Sequence, residues 1–234
     1  MDVGCSGGID TYSIIENADY SFAELSCDIL SEEKDEDFPD LCDRLKEYRT
    51  KPLIWSEIES DNIDLCDFDN EGGYVKKYLL DIFSKIDEAG GEYVVVSHSP
   101  ETMRKDRDGY IDIINSISTL AGSYGLEIIL LFSGKNEKEL RQSFGEYILS
   151  ENCHPFLKYG FDFCCVEDYC LFFENFEETE NMKYFRIPAK DTPNSTFREN
   201  LLFMADTLAD SDVYLCVWSN LEKITDKVMT NKYI

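Results

Sequence analysis

The 234 residues carry 22 basic against 48 acidic side chains, a formal charge of -26, and 43% of them are apolar, including 15 Phe and 14 Tyr. Such a composition supports a globular core rather than a disordered chain. So negative a surface repels phosphate backbones and anionic lipid, which excludes nucleic acid and membranes as partners and reads most simply as a solvated acidic coat.

Along the chain a short β-branched or aromatic run alternates with a longer amphipathic stretch. The first strand signal is "DVGCS" (2–6), followed by a helix near 10–18 with Asp10 as a candidate N-cap. "SFAELS" (21–26) precedes an acidic segment at 32–40 and a helix near 35–48, and "PLIWSEI" (52–58) precedes a surface loop at 59–70. The helix at 71–89 shows helical spacing through Tyr78, Ile82 and Ile86, and Gly90 stands where it should stop. "EYVVVSH" (92–98) leads to a helix at 109–124 with Ile111, Ile114, Ile117 and Leu120 on one face, ending at Gly125.

The second half continues with "EIILLF" (127–132), a helix at 136–149, "FDFCCVE" (161–167) and a helix at 170–178. "KYFRIP" (183–188), a helix at 195–209, "VYLCVW" (213–218) and a helix at 219–229 complete the pattern, with Asn194 and Asn220 as N-caps. Strands alternating with helices imply parallel pairing through right-handed crossovers. Eight such units predict an α/β fold, a compact (β/α)8 TIM barrel occupying 1–234 as one domain. An open doubly wound sheet competes less well, since "CSGGID" lacks the G-x-G-x-x-G order of a dinucleotide site.

Nine cysteines, at 5, 27, 42, 66, 153, 164, 165, 170 and 216, include no C-x-x-C pair. They predict reduced thiols packed as small hydrophobes in a reducing cytoplasm, not disulfides or zinc. Cys164 and Cys165, as neighbours on an expected strand, would point to opposite faces. The sequence opens without a basic start or an apolar run of signal length, and no stretch approaches a bilayer span, so a cytoplasmic location is expected.

In a barrel the side chains at the C-terminal ends of the strands share one pocket. Those ends offer Ser6, Gly7 and Gly8, then Glu24 and Ser26, Trp55 and Glu57, Ser97 and His98, and Phe132 and Ser133. Glu167 and Asp168, Arg186 and Pro188, and finally Trp218 follow. "LEIILLFSGKNE" (126–137) is notable because its strand ends on Leu131, Phe132 and Ser133, with no charged group.

The order of segments resembles the xylose isomerase-like sugar phosphate isomerases and epimerases. "MDVGCSGGID" and "NADYSFAELS" are similar to their opening, and "EAGGEYVVVSHSPETMR" to their fourth strand and loop. "STLAGSYGLEIILL" resembles their fifth strand with its preceding helix, and "IPAKDTPNSTFRENLLFMADTL" their seventh strand, loop and next helix. The resemblance implies an isomerase or epimerase of carbohydrate metabolism with a divalent metal held by two glutamates, an aspartate and a histidine. There the cation stabilises an enediolate while a carboxylate moves the proton. Carried over by position, the strand-five glutamate falls on Leu131 and the strand-six aspartate on Glu167 or Asp168. The histidine after it falls near Cys170, the strand-seven histidine on Pro188 and the strand-eight glutamate on Trp218. The inherited set is thus largely replaced, and manganese or magnesium would need a ligand set the family does not use.

The expected polar pocket is Glu24, Glu57, His98 and Glu167 as candidate catalytic groups, with no metal ligand assigned. Arg186 and Lys190 are candidate anion contacts, and Trp55 and Trp218 are platforms for a sugar ring or plugs of the barrel. The basic cluster Arg104, Lys105 and Arg107 suits either a phosphate or local pairing with Asp106 and Asp108. His154, before a proline in a loop, reads as structural. Three functions follow: a sugar or sugar-phosphate isomerase or epimerase; a catalytically degenerate barrel binding a small sugar-like ligand or a protein; and a metal-independent lyase or hydrolase using His98 with a carboxylate. No interface signature fixes a homo-oligomer.

Overall fold

The strands bury residues on both faces, as those of a helix-covered parallel sheet do. A computed structural model describes residues 1–8, 12–17, 20–32, 38–56, 58, 68, 73–148, 154–166, 172, 181–188, 195–208 and 211–218. The order is β1 (Asp2–Gly7), α1 (Tyr12–Asn17), β2 (Phe22–Ser26), α2 (Asp28–Glu32), α3 (Phe38–Glu47), β3 (Lys51–Ser56), α4 (Tyr74–Glu88) and β4 (Tyr93–Ser97). It continues with α5 (Pro100–Lys105), α6 (Arg107–Gly122), β5 (Glu127–Phe132), α7 (Glu137–Ile148), β6 (Leu157–Asp162), β7 (Met182–Pro188), α8 (Ser195–Leu208) and β8 (Tyr214–Trp218). All eight strands are parallel and β8 pairs with β1, which closes the TIM barrel expected from the sequence.

One set of alternating residues fills the lumen: Phe22, Ile54, Tyr93, Val95, Ile129, Leu131, Tyr184, Tyr214 and Cys216 form a separate buried cluster. The opposite set, including Ala23, Leu25, Trp55, Val94, Val96, Ile128, Leu130 and Phe132, packs under the helices. At the N-terminal end of the lumen Tyr214 meets the rings of Phe22 and Tyr93 at 5.1 and 5.2 Å, and Lys183 Nζ lies 5.2 Å from the Tyr214 ring centre. That aromatic floor makes the barrel a packed core rather than a pore.

The helix stops at Gly90 and Gly125 hold, with φ of 81° and 75°, a left-handed conformation that glycine adopts without a Cβ penalty. α6 starts two residues before the expected 109 because the Asp106 side chain accepts the Gly109 N–H at 3.1 Å. The short α2 and α5 have no counterpart in the sequence reading, and α5 is capped by Ser99, whose Oγ accepts from the Thr102 N–H, with Pro100 as its first residue. Asp10, Asn194, Asn220 and the helix expected at 219–229 lie outside the described residues, as does all of 170–178 except Phe172.

The sixth strand is the main correction. It runs from Leu157 to Asp162, not 161–167, because Leu157 through Phe161 pair with Ile128 through Phe132. The apolar run Phe163–Cys164–Cys165–Val166 that suggested strand is instead a turn, with Val166 N–H donating to Phe163 O at 3.1 Å. Strand six therefore ends on a carboxylate.

Candidate functional site

Cross-strand partners in a parallel sheet face the same side, so the register identifies which strand-end residues look into the lumen. Ser6 lies beside Glu24, Ser26 beside Ser56, and Ser97 beside Leu131. Asp162 lies beside Arg186, and Pro188 beside Trp218. The C-terminal rim is thus divided. β1 to β4 each contribute an inward serine, and β5 to β8 contribute leucine, aspartate, proline and tryptophan.

Below the serines the lumen is bridged. Arg186 Nη2 on β7 donates to Glu24 Oε1 on β2 at 2.6 Å, with side-chain exposures of 2% and 0%. The Tyr184 hydroxyl donates to the other Glu24 oxygen and accepts from Arg186 Nε at 3.0 Å. β2 and β7 are not neighbours, so these bonds cross the barrel interior. Trp218 covers the brace, its ring centre 4.0 Å from the Arg186 guanidinium carbon, a cation–π contact. Burial raises the Tyr184 phenol far above its ordinary range and does the same to the Cys216 thiol, which the Glu24 charge raises further. Burial likewise pushes the Cys5 thiol up to about 12. These groups stay protonated, and each Glu24 oxygen accepts a hydrogen bond, one from Arg186 and the other from Tyr184.

Asp162 was missed by the sequence reading, as were Tyr184 and Ser56. It is half-buried, and one carboxylate oxygen accepts the Cys164 N–H at 2.7 Å. The signal for it was the pairing length: a strand matching the six residues of "EIILLF" should begin at Leu157, where "LKYGFD" carries the alternation and Gly160.

The remaining expected site residues do not join this rim. His98 is 6% exposed and points outward into the helical layer, its ring 4.6 Å from Phe132 and 5.6 Å from Tyr147. Its Nδ1 bonds the Tyr110 hydroxyl at 2.9 Å, while Nε2 has no partner among the described residues. Burial lowers its pKa from 6.5 to about 4, offset in part by Glu146, with Arg104 adding to the lowering. The alternation explains the placement, since Ser97 faces in and the next residue must face out. Trp55 is fully buried beside Ile86 of α4, close against Gly91, so it packs in the layer between barrel and helices and is neither the plug nor the sugar platform. Glu57, Glu167, Asp168, Cys170 and Lys190 lie outside the described residues.

Two members of the basic cluster, Arg104 and Arg107, bond Glu146 rather than Asp106 or Asp108. Arg104 contacts Glu146 at 3.1 Å and Arg107 Nη2 donates to the Glu146 carbonyl at 3.1 Å, tying α5 and α6 to α7. His154 is local, bonding Thr119 Oγ1 at 3.0 Å and accepting from Phe156 N.

A divalent cation needs several oxygen or nitrogen donors at short range. The described residues do not fit one: β5 ends in the lumen on Leu131, 2% exposed, and Trp218 stands on β8. Glu24 is engaged by Arg186 and Tyr184, and among the described residues no three His, Cys, Asp or Glu converge.

No protein-family model matches the sequence, and no curated protein matches it significantly. Solved structures do. The chain is similar to D-psicose 3-epimerase in the presence of D-fructose, with a TM-score of 0.65 and 11% identity over 97% of this chain and 89% of that one. It is also similar to the probable 3-DHS dehydratase involved in petrobactin synthesis from Bacillus anthracis, at 0.67 and 13% over 97% and 96%. A third likeness is to the IOLI protein with a bound zinc atom, at 0.62 and 14% over 100% and 99%. At these identities the likeness is one of fold, the closed barrel of eight parallel strands.

Proposed function

We propose that this xylose isomerase-like barrel binds a small sugar-like or polyol ligand at its C-terminal rim without the divalent-metal isomerase chemistry of the fold. The observation that carries this reading is the Glu24–Arg186 brace across the lumen, which engages the buried acid while Leu131 occupies the end of β5. A base must be able to take a proton, and a Glu24 that did so would leave a buried guanidinium without its counter-charge. What the rim offers instead is recognition. Inward serine hydroxyls on one side and Asp162 on the other can exchange hydrogen bonds with ligand hydroxyls, and the partly exposed Trp218 ring can cover apolar sugar C–H groups. The likeness in fold to structures described with D-fructose supports the ligand class.

A second reading, an active sugar or sugar-phosphate isomerase or epimerase, is favoured by Asp162, which supplies a carboxylate at the end of strand six. One experiment separates the two. A panel of ketoses, aldoses and polyols is titrated while Trp218 fluorescence and melting temperature are followed, and hydrogen exchange from deuterated water into each sugar is measured with manganese and with chelator. Saturable quenching and a raised melting temperature without exchange support binding. Manganese-dependent exchange at a carbon next to the carbonyl overturns it in favour of the isomerase.

A further inference from the structure

The turn after β6 places Cys164 and Cys165 at its two central positions, closed by the Val166 N–H to Phe163 O hydrogen bond of 3.1 Å. The expectation that these side chains diverge across a strand does not apply, because residues 164 and 165 form a turn. Both thiols are free, Cys164 partly buried and Cys165 exposed, whereas Cys5, Cys27, Cys42 and Cys216 are buried. We propose that Cys164 and Cys165 form a thiol–disulfide modification site that low-molecular-weight disulfides oxidise to a vicinal disulfide.

The roles of the two sulfurs follow from their surroundings. Cys165, exposed, is the attacking group. Cys164, adjacent in the chain and partly buried, is the resolving group. In the first step the Cys165 thiolate attacks one sulfur of the small disulfide, forming a mixed disulfide and releasing one small thiolate, which takes up a proton. Cys164 then gives up its proton and attacks the Cys165 sulfur, expelling the second small thiol. Two protein thiols lose two electrons, and the small disulfide is reduced to two thiols.

Adjacent Cα atoms are held about 3.8 Å apart, below the usual disulfide span of about 4.4–6.8 Å. The bond is therefore strained and easily reduced, as suits a reversible modification rather than a structural cross-link. It also sits at the rim. Cys164 N–H is bonded to Asp162, the strand neighbour of Arg186, so closing the ring acts on the turn that holds that carboxylate.

The test is chemical and independent of any sugar ligand. The folded, reduced protein is incubated with glutathione disulfide, alkylated with iodoacetamide and cleaved after Lys158 and Glu167, which releases 159–167 free of every other cysteine. The expected fragment is two hydrogens lighter than the dithiol, carries no alkyl group, and regains alkylation at both sulfurs after mild reduction. Cys164→Ser should stop at a glutathione adduct on Cys165, and Cys165→Ser should remain unmodified at Cys164. The proposal is overturned if the wild-type fragment stays alkylated at both positions, retains glutathione, or emerges joined to a peptide holding another cysteine.

Discussion

Glu24 on β2 and Arg186 on β7 approach to 2.6 Å across the lumen, with neither side chain more than 2% exposed. Burying two charges costs several kcal/mol per ion, which their attraction offsets only when the remaining bonds are also made. Here Tyr184 makes them, donating to the carboxylate and accepting from the guanidinium. Removing one partner leaves the other charged and alone. Glu24→Gln or Arg186→Met should each lower unfolding free energy by about 3–5 kcal/mol, and the double variant should lose much less than the sum of the two. Urea denaturation of the four proteins checks this. Additive losses would show that the two groups do not act as a pair.

Gly160 is where the lumen has no room. A Cβ there would come within 2.8 Å of Ile129 Cγ2, 3.0 Å of Tyr184 Cδ1 and 3.2 Å of Leu131 Cδ1. Gly160→Ala should therefore cost about 1–3 kcal/mol by overpacking, although the same change in an ordinary strand would be neutral or favourable. The companion Ile129→Ala should relieve the tightest of these contacts, so the pair should be less harmful than the separate losses predict. Denaturation midpoints of the single and double variants measure it.

The barrel was legible because alternating strand and helix signals are local, and seven strands lie within two residues of their expected bounds. Strand six was not, because Phe163 to Val166 are apolar yet form a turn, and apolarity alone does not tell a turn from a strand. The rim was half legible. Glu24, Arg186 and Trp218 face the lumen as their strand ends suggested, but their mutual contacts run between strands far apart in sequence. His98 and Trp55 were misplaced for one reason: inward and outward positions alternate, and being last in a strand does not decide which face a residue takes.

The Arg104–Glu146 bridge is a surface feature, with side-chain exposures of 55% and 32%. Solvent and salt screen such pairs, so Arg104→Ala should change stability by at most about 1 kcal/mol, and added salt should reduce the difference. The rim should be unaffected, since Arg104 is engaged with α7 rather than with the lumen. Thermal unfolding at low and high salt tests the first statement, and unchanged Trp218 fluorescence tests the second.

His98 makes stability depend on pH in a direction that can be fixed. Its folded pKa of about 4 lies below the ordinary 6.5, chiefly because burial among Phe132, Tyr110 and Tyr147 disfavours the imidazolium. Between those values the unfolded chain binds a proton that the native chain does not, so stability falls as pH drops from 6.5 towards 4. The loss should reach roughly 3 kcal/mol at the lower end and grow no further below it. Other groups also titrate in this range, so the comparison is with His98→Gln, which keeps an acceptor for the Tyr110 hydroxyl and cannot titrate. The wild type minus variant difference in unfolding free energy should decline steadily over that window. A flat difference would mean that the imidazole is solvated or already charged in the native state.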